Sequence, residues 1–190
     1  MIEKIIDLLI ETGNIEYNNI KIYEYGLKLF LKRLFHILIF IIIGYLFGNL
    51  GEMVSFLVAY ICIREYSGGY HARTTGGCFA CTVVVAIGVS VFFRFNLWSH
   101  IYIWCITMVI AGCLIWFLSP QEAENKPLSL EEKYVYRKQT RKYLIILMVI
   151  AWIGSVFYEI PEGIASAWII QSLMLILGYF SNWTVKSSFN

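Results

Sequence analysis

Charge is scarce in this chain. Of its 190 residues 15% are charged and 59% are hydrophobic, with a mean hydropathy of +0.68. That mix excludes an ordinary soluble globular domain and reads as an integral membrane protein. Other features are missing too. The sequence has no internal repeat, no low-complexity tract and no sign of a second domain. Its first residues lack a basic n-region, an uninterrupted apolar core and a small-residue cleavage site, so no secretory signal peptide is expected. No acidic residue falls in the middle of an apolar run, which argues against a proton-coupled transporter or an ion pump.

What is present is a series of apolar runs. Six are candidate membrane spans, at 34–50, 53–63, 77–95, 98–118, 143–158 and 164–183. The second is short for a hydrocarbon core about 30 Å thick. It is expected to extend into its flanks, to cross with little tilt or to be partly re-entrant. Six crossings starting from the inside put fourteen of the fifteen Lys and Arg residues on one side, leaving only Arg94 opposite. Cytoplasmic loops collect such charge, so the expectation is an all-α, six-span, N-in and C-in protein. In this scheme one membrane-embedded domain covers 1–190, with amphipathic helices over 1–33 and a bundle over 34–183. The cytoplasmic loops are 64–76 and 119–142.

The N-terminal segment is amphipathic. Ile2, Ile5, Ile6 and Leu9 share one helical face while Glu3, Lys4, Asp7 and Glu11 take the other. A second stretch sets Ile20, Tyr23, Leu27, Phe30, Leu31 and Leu34 against Lys21, Glu24, Lys28 and Lys32. Both suit the inner leaflet, as plain juxtamembrane helices or as a dock for a partner helix. Farther on, Ser129 followed by Leu-Glu-Glu predicts an N-cap with acidic residues in the first turn, opening a short cytoplasmic helix that becomes basic toward Lys142.

Residues 64–78 read REYSGGYHARTTGGC, a polar interval between two apolar runs. Cysteine attacks as its thiolate, which an imidazolium or a helix N-terminus favours. Cys78 stands at the expected start of the third span and His71 seven residues before it. On one straight helix the two would be about 10 Å apart along the axis, so the segment has to fold back if they act together. The pairs Gly68-Gly69 and Gly76-Gly77 offer a turn to each, and Thr74 and Thr75 can cap the third helix. The plainer alternative is an inert cysteine and an interfacial histidine. Cys81 completes a CxxC with Cys78, but neither a four-ligand metal set nor a second CxxC accompanies it. No metal and no cofactor are expected. Cys62, Cys105 and Cys113 read as packing residues, and His36 and His100 as interfacial ones.

The order Arg64, Gly69, His71-Ala72, Cys78 between the second and third spans closely resembles accessory gene regulator B, the membrane peptidase family of Gram-positive peptide quorum sensing. The resemblance extends over nearly the whole chain in span count, amphipathic start and basic mid-chain loop. It implies a cysteine endopeptidase at the cytoplasmic face of the cell membrane. Such an enzyme removes the C-terminal tail of a small precursor peptide, of the accessory gene regulator D type, through a thioester and promotes closure of a thiolactone or lactone ring. His71 would be the general base and Cys78 the nucleophile, with Arg64 and Gly69 in support. Amides around Gly77 and Cys78 are candidates for an oxyanion hole, and the Arg64 guanidinium for a substrate carboxylate. An acidic precursor tail would suit Lys126, Arg137, Lys138, Arg141 and Lys142. Membrane lipids are expected partners and nucleic acid is not. A homodimer would be helped by Gly44, Gly48, Ala86 and Gly88. The rivals are a thiol oxidoreductase using Cys78 and Cys81, and a non-catalytic scaffold or exporter.

Overall fold

Runs this apolar can satisfy their backbone amides and carbonyls only internally, and helices do so residue by residue. The computed structural model describes residues 20–70, 72, 74–95, 101–122, 128–157 and 161–187. Among these all regular structure is helical: α1 Ile20–Phe47, α2 Leu50–Ser67, α3 Thr75–Arg94, α4 Ile101–Leu118, α5 Leu130–Phe157 and α6 Pro161–Ser187. Three segments are long and apolar enough to cross a membrane, namely α1, α3 and Glu162–Ser181 of α6. Large apolar side chains such as Leu46, Val84, Phe117 and Trp152 stand exposed, as lipid-facing positions require.

Residues 1–39 and 40–190 form two compact units. In the first, the described part of α1 carries a Lys28–Glu24 ion pair at 2.5 Å, one helical turn apart. The first amphipathic stretch, within residues 1–19, lies outside the described residues.

The second unit is built around α2. Met53, Phe56, Ala59 and Ile63 are fully buried, and Phe56 packs between Phe40 and Tyr60, with ring centroids 5.6 and 5.5 Å away. The other helices bury residues at helical spacing: Trp104, Met108, Ala111 and Ile115 on α4; Thr140, Leu144, Leu147 and Ala151 on α5; Ile164, Ala167, Trp168, Gln171 and Leu175 on α6. The apolar run at 53–63 lies within a longer helix. With 18 residues α2 is about 27 Å long. The short helix expected after Ser129 also proves longer, for α5 runs 28 residues from the loop through the fifth apolar run. Its start is a capping box, in which Glu132 N–H donates to Ser129 Oγ at 3.1 Å and Ser129 N–H to Glu132 Oε2 at 2.9 Å.

Contacts fix the helix directions. Along α6, Gly163 lies against Glu52, Ser55 and Phe56, while Gln171 reaches Ser67 and Gly68, so α2 and α6 run parallel. Trp116 of α4 lies under Arg141 of α5 and Glu122, just past α4, pairs with Lys133, so α5 runs against α4; Tyr66 at the end of α2 packs on Tyr136 and Tyr143 of α5. Asn49 donates from Nδ2 to the Ser90 carbonyl at 2.9 Å, which sets the start of α2 beside the second half of α3. The C-terminal ends of α2 and α4, the first half of α5 and part of α6 thus gather at one end of the bundle.

Glycines make the closest crossings possible. A Cβ on Gly112 would come within 2.7 Å of the Trp168 ring, and one on Gly44 within 2.8 Å of Met53. Gly44 and the fully buried Ala86 are therefore used inside the chain and not for approach to a second copy. A Cβ on Gly163 would collide with Ser55 and the α2 backbone. Gly163→Ala is accordingly expected to destabilise the detergent-solubilised protein by about 1–3 kcal/mol. Gly88→Ala, with nothing within 4 Å and inside α3, should be neutral or stabilising by up to about 1 kcal/mol. Thermal melts read both, and identical melts for Gly163→Ala and the parent would refute this packing account.

Candidate functional site

The polar interval begins where α2 stops. Gly68 and Gly69 have φ of 69° and 118°, a region that side chains with a Cβ rarely adopt. Arg64, in the last turn of α2, spans the resulting bend: Nη1 donates to the Gly68 carbonyl at 2.6 Å and Nη2 to the Tyr70 carbonyl. Its guanidinium is thus engaged with the chain's own backbone, not held open for a carboxylate. A Cβ on Gly69 would fall on that guanidinium and within 3.1 Å of the Met174 carbonyl.

Other elements hold the same bend. Tyr70 N–H donates to the Met174 carbonyl of α6 at 2.8 Å, and Gln171 Nε2 donates to Ser67 Oγ at 2.6 Å and the Gly68 carbonyl at 2.9 Å. After α4, Gln121 N–H donates to the Ser67 carbonyl at 2.9 Å and Gln121 Nε2 to the Leu175 carbonyl at 2.6 Å. Sequence reading missed Gln171 and Gln121. Gln171 did leave a signal, as an amide set among the apolar residues of IASAWIIQSLMLILG.

The interval ends in α3, which differs from the expected second flexible turn. Gly76 and Gly77 lie in the first helical turn, because Thr74 caps it: Gly77 N–H donates to Thr74 Oγ1 at 3.0 Å and Cys78 N–H to the Thr74 carbonyl at 3.0 Å. Both amides are taken by the cap, so they are not open to an oxyanion. Thr75 and Gly76 lie exposed at the helix start. Gly77 is needed for space, since a Cβ there would meet Thr74 Oγ1 at 3.0 Å and Ala72 at 3.3 Å.

Cys78 and Cys81 are both free thiols and half-buried. Tyr60 lies within electrostatic reach of Arg64, Cys81 and Cys78, and Cys81 within reach of Cys78 and Arg64, so the end of α2 and the first turns of α3 share one neighbourhood. His71 lies outside the described residues, directly after the anchored Tyr70 in the sequence, and Lys126 and His100 lie outside them as well. On α5, Arg137, Lys138 and Lys142 are exposed. Arg141 is drawn inward, its guanidinium 4.4 Å from the Trp116 ring centroid.

The family model described as accessory gene regulator B matches residues 2–176. The chain belongs to that family. A putative AgrB-like protein of Clostridium perfringens is 27% identical over 169 residues, covering 83% of this chain and 79% of its own. Protein FsrB of Enterococcus faecalis is 25% identical, covering 80% of this chain and 63% of its own. A putative AgrB-like protein of Halalkalibacterium halodurans is 24% identical, covering 71% and 66%. No solved structure gives a significant match. Membership of the accessory gene regulator B family links the chain to the processing of quorum-sensing peptides.

Two glycines in the interval should respond differently to a methyl group. Gly69→Ala, with positive φ and a guanidinium in the way, is expected to lower stability by about 1–3 kcal/mol. Gly76→Ala has nothing within 4 Å and sits in a helix, so it should be neutral or mildly stabilising. Denaturant titration of the two variants in detergent would check this, and equal midpoints would contradict the bend described here.

Proposed function

We propose that this chain is a membrane cysteine endopeptidase that removes the C-terminal tail of a small precursor peptide and promotes cyclisation of the remainder into a quorum-sensing signal. The observation that carries the reading is the bend at Gly68–Tyr70. It is fixed by Arg64, runs directly into His71, and shares its neighbourhood with the capped helix start that bears Cys78.

In the proposed cycle His71 accepts the thiol proton, and the Cys78 sulfur attacks a precursor carbonyl. His71 then protonates the departing amine, leaving a thioester on Cys78. A Cys or Ser side chain of the precursor displaces the enzyme and closes the ring. Water would hydrolyse the thioester, so a site among membrane helices favours cyclisation. Arg64 and Gly69 hold the bend, and Gly77 lets the cap close. The exposed Thr75 and Gly76 amides, at the positive end of the α3 dipole, are the better placed pair to face an oxyanion.

The chain forms one peptidase domain with six crossings, both termini and the site facing the cytoplasm. The alternating directions of α2 to α6 and the charge distribution support that topology. Lipids surround it, and a second copy pairs with it as a homodimer. Arg137, Lys138 and Lys142, with Lys126 and Arg141, attract the acidic tail.

The test is cleavage of a co-expressed peptide carrying an internal cysteine and an acidic C-terminal tail. Cys78→Ala should abolish processing, His71→Ala should slow it by about 10²–10⁴-fold, and Cys81→Ala should leave it intact. Parent-level cleavage by Cys78→Ala would sink the peptidase reading, and dependence on both cysteines would favour the oxidoreductase. Replacing Arg137, Lys138 and Lys142 with Gln should raise the KM for this peptide and flatten its rise with salt. A salt-independent KM in the parent would remove the basic residues from substrate binding.

A further inference from the structure

We propose that one face of α6, made by the Gln171 amide, the Met174 carbonyl and Gly178, is the positioning surface for the segment that delivers His71; the inference rests on the peptidase reading above. The three residues lie at helical spacing on one face, and all three act on the bend after α2. Gln171 is fully buried, and its one amide nitrogen serves both Ser67 Oγ and the Gly68 carbonyl. The Met174 carbonyl takes the Tyr70 N–H. At Gly178 a Cβ would stand 2.8 Å from Tyr70 N and 3.0 Å from the Gly69 carbonyl carbon, and would also strike the Gln121 side chain. The bend reaches α6 backbone only because this position has no side chain.

These bonds act on direction. Arg64 already holds the Gly68 and Tyr70 carbonyls from the α2 side, so the bend keeps two anchors without Gln171. What α6 adds is a second set of bonds to Gly68 and Tyr70 from another element. Together they fix the orientation of the Tyr70 peptide, and His71 is the next residue. A displacement of about 1 Å at a reacting group can cost on the order of 10²-fold in rate. Gln171 is therefore a positioning residue. Its loss should lower turnover while leaving peptide binding largely unaffected.

The experiment compares Gln171→Met, Gln171→Glu and Gly178→Ala with the parent, with Gly88→Ala as a methyl control in open space. Each is taken as the monodisperse full chain in lipid nanodiscs, and rates are expressed per alkylatable Cys78. The substrate is a peptide with an internal cysteine and an acidic C-terminal tail. Gln171→Met retains volume but not the donor, Gln171→Glu turns an oxygen toward the Gly68 carbonyl, and Gly178→Ala raises helix propensity while crowding Tyr70. Expected is a fall in kcat of about 10- to 100-fold with KM within threefold for all three, and parent kinetics for Gly88→Ala. Parent turnover in Gln171→Met and Gly178→Ala would overturn the proposal. So would a rise in KM with kcat unchanged, which would make this face part of the peptide site. A Cys78→Ser arm separates the two levels. If Cys78→Ser is dead and the α6 variants are normal, only the positioning role fails. If Cys78→Ser cleaves at the parent rate, the peptidase reading fails and takes this inference with it.

Discussion

A backbone that leaves helical geometry while packed against other helices must find its donors and acceptors within the protein, because the packing shuts out water. The bend after α2 is where this chain meets that constraint. Gly68 and Gly69 make the conformation accessible, but they leave carbonyls and an amide without helical partners. Arg64 answers two carbonyls from within α2, α6 answers the Tyr70 amide with a backbone carbonyl, and the two glutamines tie Ser67 and Gly68 to α4 and α6. The local irregularity is thereby tied to distant elements. Its shape depends on how α6 lies against α2.

That dependence explains why α2 and α6 lie so close. Close van der Waals packing together with internal hydrogen bonds holds the two helices. Gly163 brings the start of α6 onto the start of α2, Gly178 admits the bend farther along, and the buried Gln171 sits between them. The two glycines set the spacing at each end of one parallel contact. Because the two helices run in the same direction, the end of α2 meets the middle of α6 and leaves the last turns of α6 beyond the site.

Much of this was legible in the sequence. Composition gives helices and a membrane, the described residues of the apolar runs fall within the observed helices apart from 48–49 and 95, and Ser129 with Glu132 announces the start of α5. The Gly68-Gly69 pair marks a real left-handed bend. Gly76-Gly77 looks identical on paper yet lies in a helix, because Thr74 supplies the acceptors that a first turn needs and glycine there only avoids crowding. Residue type alone does not separate these two uses. The bonds from Gln171 to Ser67 and Gly68 span 104 and 103 residues, beyond any spacing rule. Only the polarity of Gln171 within an apolar run hinted at them.

The choice of arginine at position 64 follows from the same geometry. The Gly68 and Tyr70 carbonyls are two residues apart, and two nitrogens of one rigid plane reach both, whereas a single ammonium on a flexible stem has no such fixed fork. Carbonyl partners also leave the guanidinium charge in place, where a carboxylate partner would have cancelled it. That charge reaches Tyr60 and Cys81 in the cluster that includes Cys78. One side chain therefore sets the shape of the bend while keeping its charge within reach of that cluster. A carboxylate introduced beside it would compete with both carbonyls for the guanidinium and so loosen the bend.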